Sequence, residues 1–167
     1  MMILWSFIAV FVLFMGWVVF FGAPWVPSHR RDVKKAFSEL YKLDKKDFVV
    51  DFGAGDGKVL QIASKMGAKG GLGIELNPLL YLVAVVRLAC IKNTRMKIGN
   101  YLQVKIPEET TVVYVFGDGR DITKVYNRVR EEARRLDKTL FLISYAFPVP
   151  KKKEENFDGT SYLYRIQ

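Results

Sequence analysis

The chain has 167 residues, room for one compact domain, and half of them are apolar, which excludes a disordered chain. Its 26 Lys and Arg outweigh 17 Asp and Glu, giving a net charge of +9. One cysteine, Cys90, and one histidine, His29, exclude an internal disulfide framework, a cysteine-based zinc site and a multi-histidine metal centre, and they disfavour a Ser-His-Asp hydrolase. No metal is expected.

The first 27 residues carry no charged side chain. From Met2 to Phe21 only Ser6 and Gly16 interrupt an apolar run. At about 1.5 Å per residue such a run crosses a hydrocarbon core of about 30 Å. It is too long for a signal peptide, lacks a basic start, and meets Pro24 where small residues would have to be cleaved. Trp5 and Trp17 fall toward its ends, as interfacial aromatics do. His29, Arg30, Arg31, Lys34 and Lys35 follow. The positive-inside rule therefore places the rest of the chain on the cytoplasmic side of a single-pass membrane protein. The expected division is an anchor over 1–23, a linker and helix over 24–46, and a folded domain over 47–167.

Apolar spacing predicts a helix over 29–43 and a strand over 47–52. A helix (58–66), a strand (71–75), a helix (78–91) and a strand (95–98) follow. Further strands are expected at 111–116, 139–147 and 160–166, with a charged helix over 121–136. Strands alternating with helices imply a parallel sheet covered on both faces. The connection after Phe147 is too short for a helical crossover, so the last strand should run antiparallel outside the fifth, after the order 3-2-1-4-5.

The loop Asp51-Phe52-Gly53-Ala54-Gly55-Asp56-Gly57 lies between a strand and a helix. It fails the phosphate-binding GxxxxGK[ST] pattern, because Val59 follows Lys58, and the dinucleotide pattern GxGxxG, because Lys58 stands where the last glycine should be. Glu75, at the end of the second strand, is placed to accept both hydroxyls of a ribose. Asp51, Asp56 and Glu75 would repel a phosphate. The pattern favours an adenosine ligand that bears positive charge and no phosphate, which is S-adenosylmethionine.

This loop resembles motif I of class I S-adenosylmethionine-dependent methyltransferases, and Glu75 matches their acidic ribose-binding position. The resemblance implies that the glycines pack on the methionine part, that Asp51 helps bind its amino group, and that Asn100 receives the adenine amine. Candidate cofactor contacts are Asp51, Gly53, Ala54, Gly55, Asp56, Gly57, Glu75, Leu76, Asn77, Asn100 and Tyr101. Asn77-Pro78 also reads as an N-cap followed by proline at the first helical position. Together with the anchor, the segment Pro24-Trp25-Val26-Pro27-Ser28 and Glu75-Leu76-Asn77-Pro78 resemble the membrane-anchored protein-lysine methyltransferases of ATP synthase subunit c and the adenine nucleotide translocase. That resemblance implies a Rossmann-like class I fold with a shortened C-terminal end. It also implies a substrate channel near Trp25, Ser28 and Phe116.

No catalytic base is identified; Asp118 and Asp121 are candidates by position, with Asp121 also readable as an N-cap. Three functions stay open. They are a protein-lysine methyltransferase at a membrane, a methyltransferase for a membrane-borne small molecule, and a non-catalytic nucleotide-binding membrane adaptor. Expected partners are the bilayer and a membrane protein substrate, not nucleic acid. The helix over 78–91 is too short to span and has Arg87 as its only charge, so two readings stay open: flanking elements bury its apolar excess, or a face near Leu80, Ala84 and Ala89 meets lipid or a hydrophobic substrate protein.

Overall fold

The computed structural model describes residues 5–12, 28–117 and 119–167. Residues 5–12 are helical (α1), and Trp5, Phe7, Val10, Phe11 and Val12 on it are exposed. The rest of the apolar run, the expected span as a whole, Trp25 and Asp118 lie outside the described residues. Among the described residues no helix is long and apolar enough to cross a membrane.

Seven strands form one sheet: β1 (Phe48–Phe52), β2 (Gly70–Glu75), β3 (Thr94–Ile98), β4 (Val112–Val115), β5 (Leu140–Tyr145), β6 (Asn156–Phe157) and β7 (Ser161–Ile166). Their order is β3-β2-β1-β4-β5-β7-β6. The first five are parallel, and β7 pairs antiparallel with β5 from Leu140↔Ile166 to Tyr145↔Ser161. The expected order and the reversed last strand are both present. The two-residue edge strand β6 was not expected; it pairs antiparallel with β7 after a turn in which Asp158 accepts from the amides of Thr160 and Ser161.

Helices cover both faces. On one lie α2 (Arg30–Lys35), α3 (Lys58–Lys65) and α4 (Pro78–Leu88); on the other lies α5 (Ile122–Leu136). The five residues of β1 and the four of β4 are all buried, as central strands between two helical layers must be. The expected first helix stops early. After α2 the chain widens into a π turn over Ala36–Leu40, with Tyr41 N–H donating to Ala36 O, and Tyr41 is already extended. Val33, Ala36, Phe37 and Leu40 nonetheless all reach the core. A boundary at residue 47 therefore cuts through packing that belongs to the domain.

Glycines in β2 set how closely α3 approaches. A Cβ on Gly71 would lie 2.8 Å from one Leu60 methyl, and one on Gly73 would lie 3.0 Å from the other. In α4 the direction of burial differs from the expected one. Ala84 and Leu88 are its buried positions, and Ala84 is fully enclosed, because it packs beside Gly57 at the start of α3. The helix also ends at Leu88 rather than Ile91.

Candidate functional site

The carboxyl ends of β1 and β2 carry the glycine loop. Gly53, Gly55 and Gly57 all have positive φ, which a side chain at these positions would strain. Two of them do different work. Gly57 caps α3 in a left-handed conformation, and a Cβ there would press on Ala84 and Leu88 at 3.1 Å, so it lets α3 and α4 meet. Gly53 is exposed, and a Cβ there would meet nothing within 4 Å. Among the described residues nothing covers its bare backbone.

Two buried acids flank that space. Glu75 reaches back from the end of β2; its carboxylate accepts from Gly55 N–H at 2.7 Å and from Asn77 N–H at 2.8 Å. It straps the loop to the sheet, and each oxygen keeps a lone pair for a hydroxyl donor. Asp51, at the fourth position of β1, is buried, and among the described residues its Oδ2 has no hydrogen-bond partner. Burial first, then the Glu75 and Asp56 carboxylates, push the Asp51 carboxyl well above the usual aspartate range. A buried acid without a donor, set among other acids, calls for a cation or an N–H donor from a ligand.

Asp56 is placed differently. It faces Arg87 of α4 at 3.0 Å as a pair of charges rather than an aligned hydrogen bond, and it accepts from Lys58 N–H at 3.2 Å. These contacts tie it to the start of α3. The lone charge of α4 was visible in the sequence; its partner, far along the chain, was not.

Asn77 caps α4 as expected, accepting from the amides of Leu79 and Leu80, and Pro78 opens the helix. Leu76 is exposed between Glu75 and that cap. Asn100 is exposed after β3 and uses its side-chain oxygen to accept from Leu102 N–H at 2.9 Å. Tyr101 stacks on Phe52 with ring centroids 5.1 Å apart. Gly99 N–H donates to Glu75 O, which joins the ends of β3 and β2.

The ends of β4 and β5 carry aromatic groups. Phe116 sits edge-on to Tyr145 at 4.6 Å and stacks with Phe147 at 6.4 Å. Ser28 is buried, and the Tyr114 hydroxyl donates to its Oγ at 3.1 Å. Tyr145 donates to Asp32 of α2 at 2.8 Å. Tyr114 is the register partner of Asp51, and its burial raises the phenol above the ordinary tyrosine range. Ser28 and Phe116 thus lie on this side of the sheet, and the two tyrosines join them there. Asp121 sits at the N-cap position of α5 without a side-chain cap bond; it pairs instead with Lys124 at 2.7 Å. Among the described residues no cluster of His, Cys, Asp and Glu could hold a metal ion.

No protein-family model matches the chain. In sequence it is 26% identical over 156 residues to a protein-lysine N-methyltransferase of Saccharolobus islandicus strain REY15A, covering 86% of this chain and 93% of that protein. In structure it is similar to an RNA methyltransferase of Salinibacter ruber in complex with S-adenosyl-L-homocysteine. The TM-score is 0.67, at 23% identity, with 84% of this chain and 92% of the other covered. It is also similar to the yhhF protein of Escherichia coli, with a TM-score of 0.64 at 19% identity over 85% and 90% of the two chains. The chain has the Rossmann-like α/β fold of class I S-adenosylmethionine-dependent methyltransferases.

Proposed function

We propose that this chain is an S-adenosylmethionine-dependent methyltransferase that modifies a lysine of a protein held at a membrane. The observation that carries the cofactor is the orphaned Asp51 carboxylate beside an open glycine backbone, with Glu75 at the end of the neighbouring strand. Asp51 would hold the cofactor's ammonium, Glu75 its ribose hydroxyls, and Gly53 and Gly55 would let the backbone lie against its methionine part. The cofactor supplies an electrophilic methyl group. The chain's own task is to hold a neutral amine in line with it and to exclude water.

The aromatic walls of Phe116, Tyr145 and Phe147 suit that task, because an apolar lining lowers the pKa of an incoming lysine amine. Support for a lysine substrate comes from the relative of that name, which matches nearly the whole chain. Support for a membrane site comes from the uncharged run before Pro27 and the cations after it. The same features support a domain on the cytoplasmic side with the bilayer as its partner.

A second reading, methylation of RNA, is favoured by the net charge of +9 and by the structural neighbour of that name. One experiment separates the two. The full chain is incubated with methyl-labelled cofactor and cell membranes, and the product is split by protease or ribonuclease digestion. Label that survives ribonuclease, is lost to protease and maps to methyl-lysine supports the proposal, with S-adenosylhomocysteine released. Label lost to ribonuclease overturns the lysine assignment. Glu75→Ala should weaken cofactor binding at least about ten- to a hundred-fold, the equivalent of one charged hydrogen bond. Unchanged binding would overturn the site.

A further inference from the structure

Apart from Ile98 and Phe157, every large apolar side chain exposed among the described residues lies either in α1 or between Leu76 and Val86. In α4 the outward arc consists of Leu79, Leu82, Val83, Val85 and Val86, the last 77% exposed. No polar residue interrupts it. Arg87 and Tyr81 lie toward the buried side. A helix that covers a sheet in water has the opposite arrangement. The asymmetry marks an interaction surface.

The charges beside this arc indicate its occupant. Neither α3 nor α4 contains an acidic residue. Exposed Arg30, Arg31 and Lys34 of α2 lie in the same helical layer. Arg30 and Lys34 line, with Lys65, a shallow hollow of about 110 Å³ between α2 and α3. The face therefore pairs an apolar ridge with cations. A second copy docked by the same face would set those cations against their own kind. The chain's own apolar run could cover the ridge and would leave the cations without anions. An anionic leaflet satisfies both, with acyl chains for α4 and headgroups for the cations.

We propose that the face formed by α2, α3 and α4 rests on an anionic lipid leaflet, with the outward arc of α4 at the acyl-chain boundary. Leu76 directly follows Glu75 and continues this surface to the mouth of the glycine cleft. The cleft then opens at the level of the headgroups. The proposal does not depend on methyl transfer, and its test measures no activity.

Cys90 is the sole cysteine, is exposed, and lies just beyond the end of α4. In the full chain it takes an environment-sensitive thiol probe. A reference probe goes on Asn127→Cys in a Cys90→Ser background, at an exposed position of α5. Both proteins are reconstituted into vesicles of phosphatidylcholine, with and without phosphatidylglycerol. The expected result is a blue-shifted Cys90 probe, quenched several-fold more by nitroxide lipids than the reference, with the difference reduced in neutral vesicles. Val83→Glu with Val86→Glu should abolish that difference while circular dichroism stays unchanged. Arg30→Glu with Lys34→Glu, which leaves α4 untouched, should abolish the dependence on phosphatidylglycerol. Equal quenching of the two probes by aqueous iodide in both vesicles overturns the proposal. So does protection of Cys90 that ignores lipid charge and grows with protein-to-lipid ratio, which would assign the face to a second copy.

Discussion

Helices α4 and α5 pack on opposite faces of one sheet and distribute polarity in opposite ways. α5 buries Ile122, Val125, Val129 and Ala133 and turns Lys124, Asn127, Glu131 and Arg134 to water. α4 buries little beyond Ala84 and Leu88 and turns its aliphatic side chains outward. The buried acids repeat the contrast. Glu132 of α5 is enclosed and answered by Arg128 and by Arg135 at 2.5 Å. Asp51, on the site side, has an oxygen with no partner among the described residues. The α5 side answers its buried carboxylate with arginines of its own helix, and the other side has no cation or donor on the free Asp51 oxygen among the described residues. Under the proposed function, that difference separates a carboxylate that serves stability from one that serves binding.

The contrast can be broken most sharply at α5. Val129→Asp would bury an unpaired carboxylate, and the domain should lose about 3–5 kcal/mol in urea unfolding. If it loses little, α5 is not the self-sufficient side. The two acids should respond with opposite sign. Glu132→Ala takes the buried carboxylate from two arginines, which keep the Val104 and Ile106 carbonyls, and should cost about 2–3 kcal/mol. Asp51→Asn should raise the melting temperature of the cofactor-free protein at neutral pH while it weakens cofactor binding.

The sign follows from linkage. Asp51 holds its proton more tightly folded than unfolded. Its contribution therefore favours folding below the unfolded aspartate value of about 3.9, and that contribution is lost as pH rises through the raised folded value. Thermal melts across pH should show this loss in the parent and not in Asp51→Asn.

The caps give a smaller test. Asn77→Ala removes two side-chain bonds at the start of α4 and should cost about 1 kcal/mol, whereas Asp121→Ala at α5 should cost close to nothing. Smallest of all, Val86→Glu on the outward arc should change stability in detergent by no more than about 0.5 kcal/mol. A larger loss would mean that the arc is packed against the chain itself.

Much of the fold was legible because parallel strands and their crossover helices write simple periods into the sequence. The glycine loop and the Asn77-Pro78 helix start were legible for a similar reason: local backbone geometry dictates the residue type. What was not legible depends on distance along the chain. Asp56 meets Arg87 and Ser28 meets Tyr114 only after the sheet has formed. β6 is two residues whose pairing is imposed by β7 and carries no period of its own. The buried side of α4 was misread because its apolar residues go almost all the way round. Nothing in that pattern says that Ala84 turns inward; the approach of Gly57 does.

The two tyrosine hydroxyls that fasten Ser28 and Asp32 to β4 and β5 have a mechanical consequence. Any pull or twist that travels along the backbone from the N-terminal run enters the domain at Ser28. There it is borne by the middle of the sheet, beside the strand that carries Asp51, rather than by a loose end that could peel away. A force applied at Ser28 would reach β4, the neighbour of Asp51, through the Tyr114 hydroxyl.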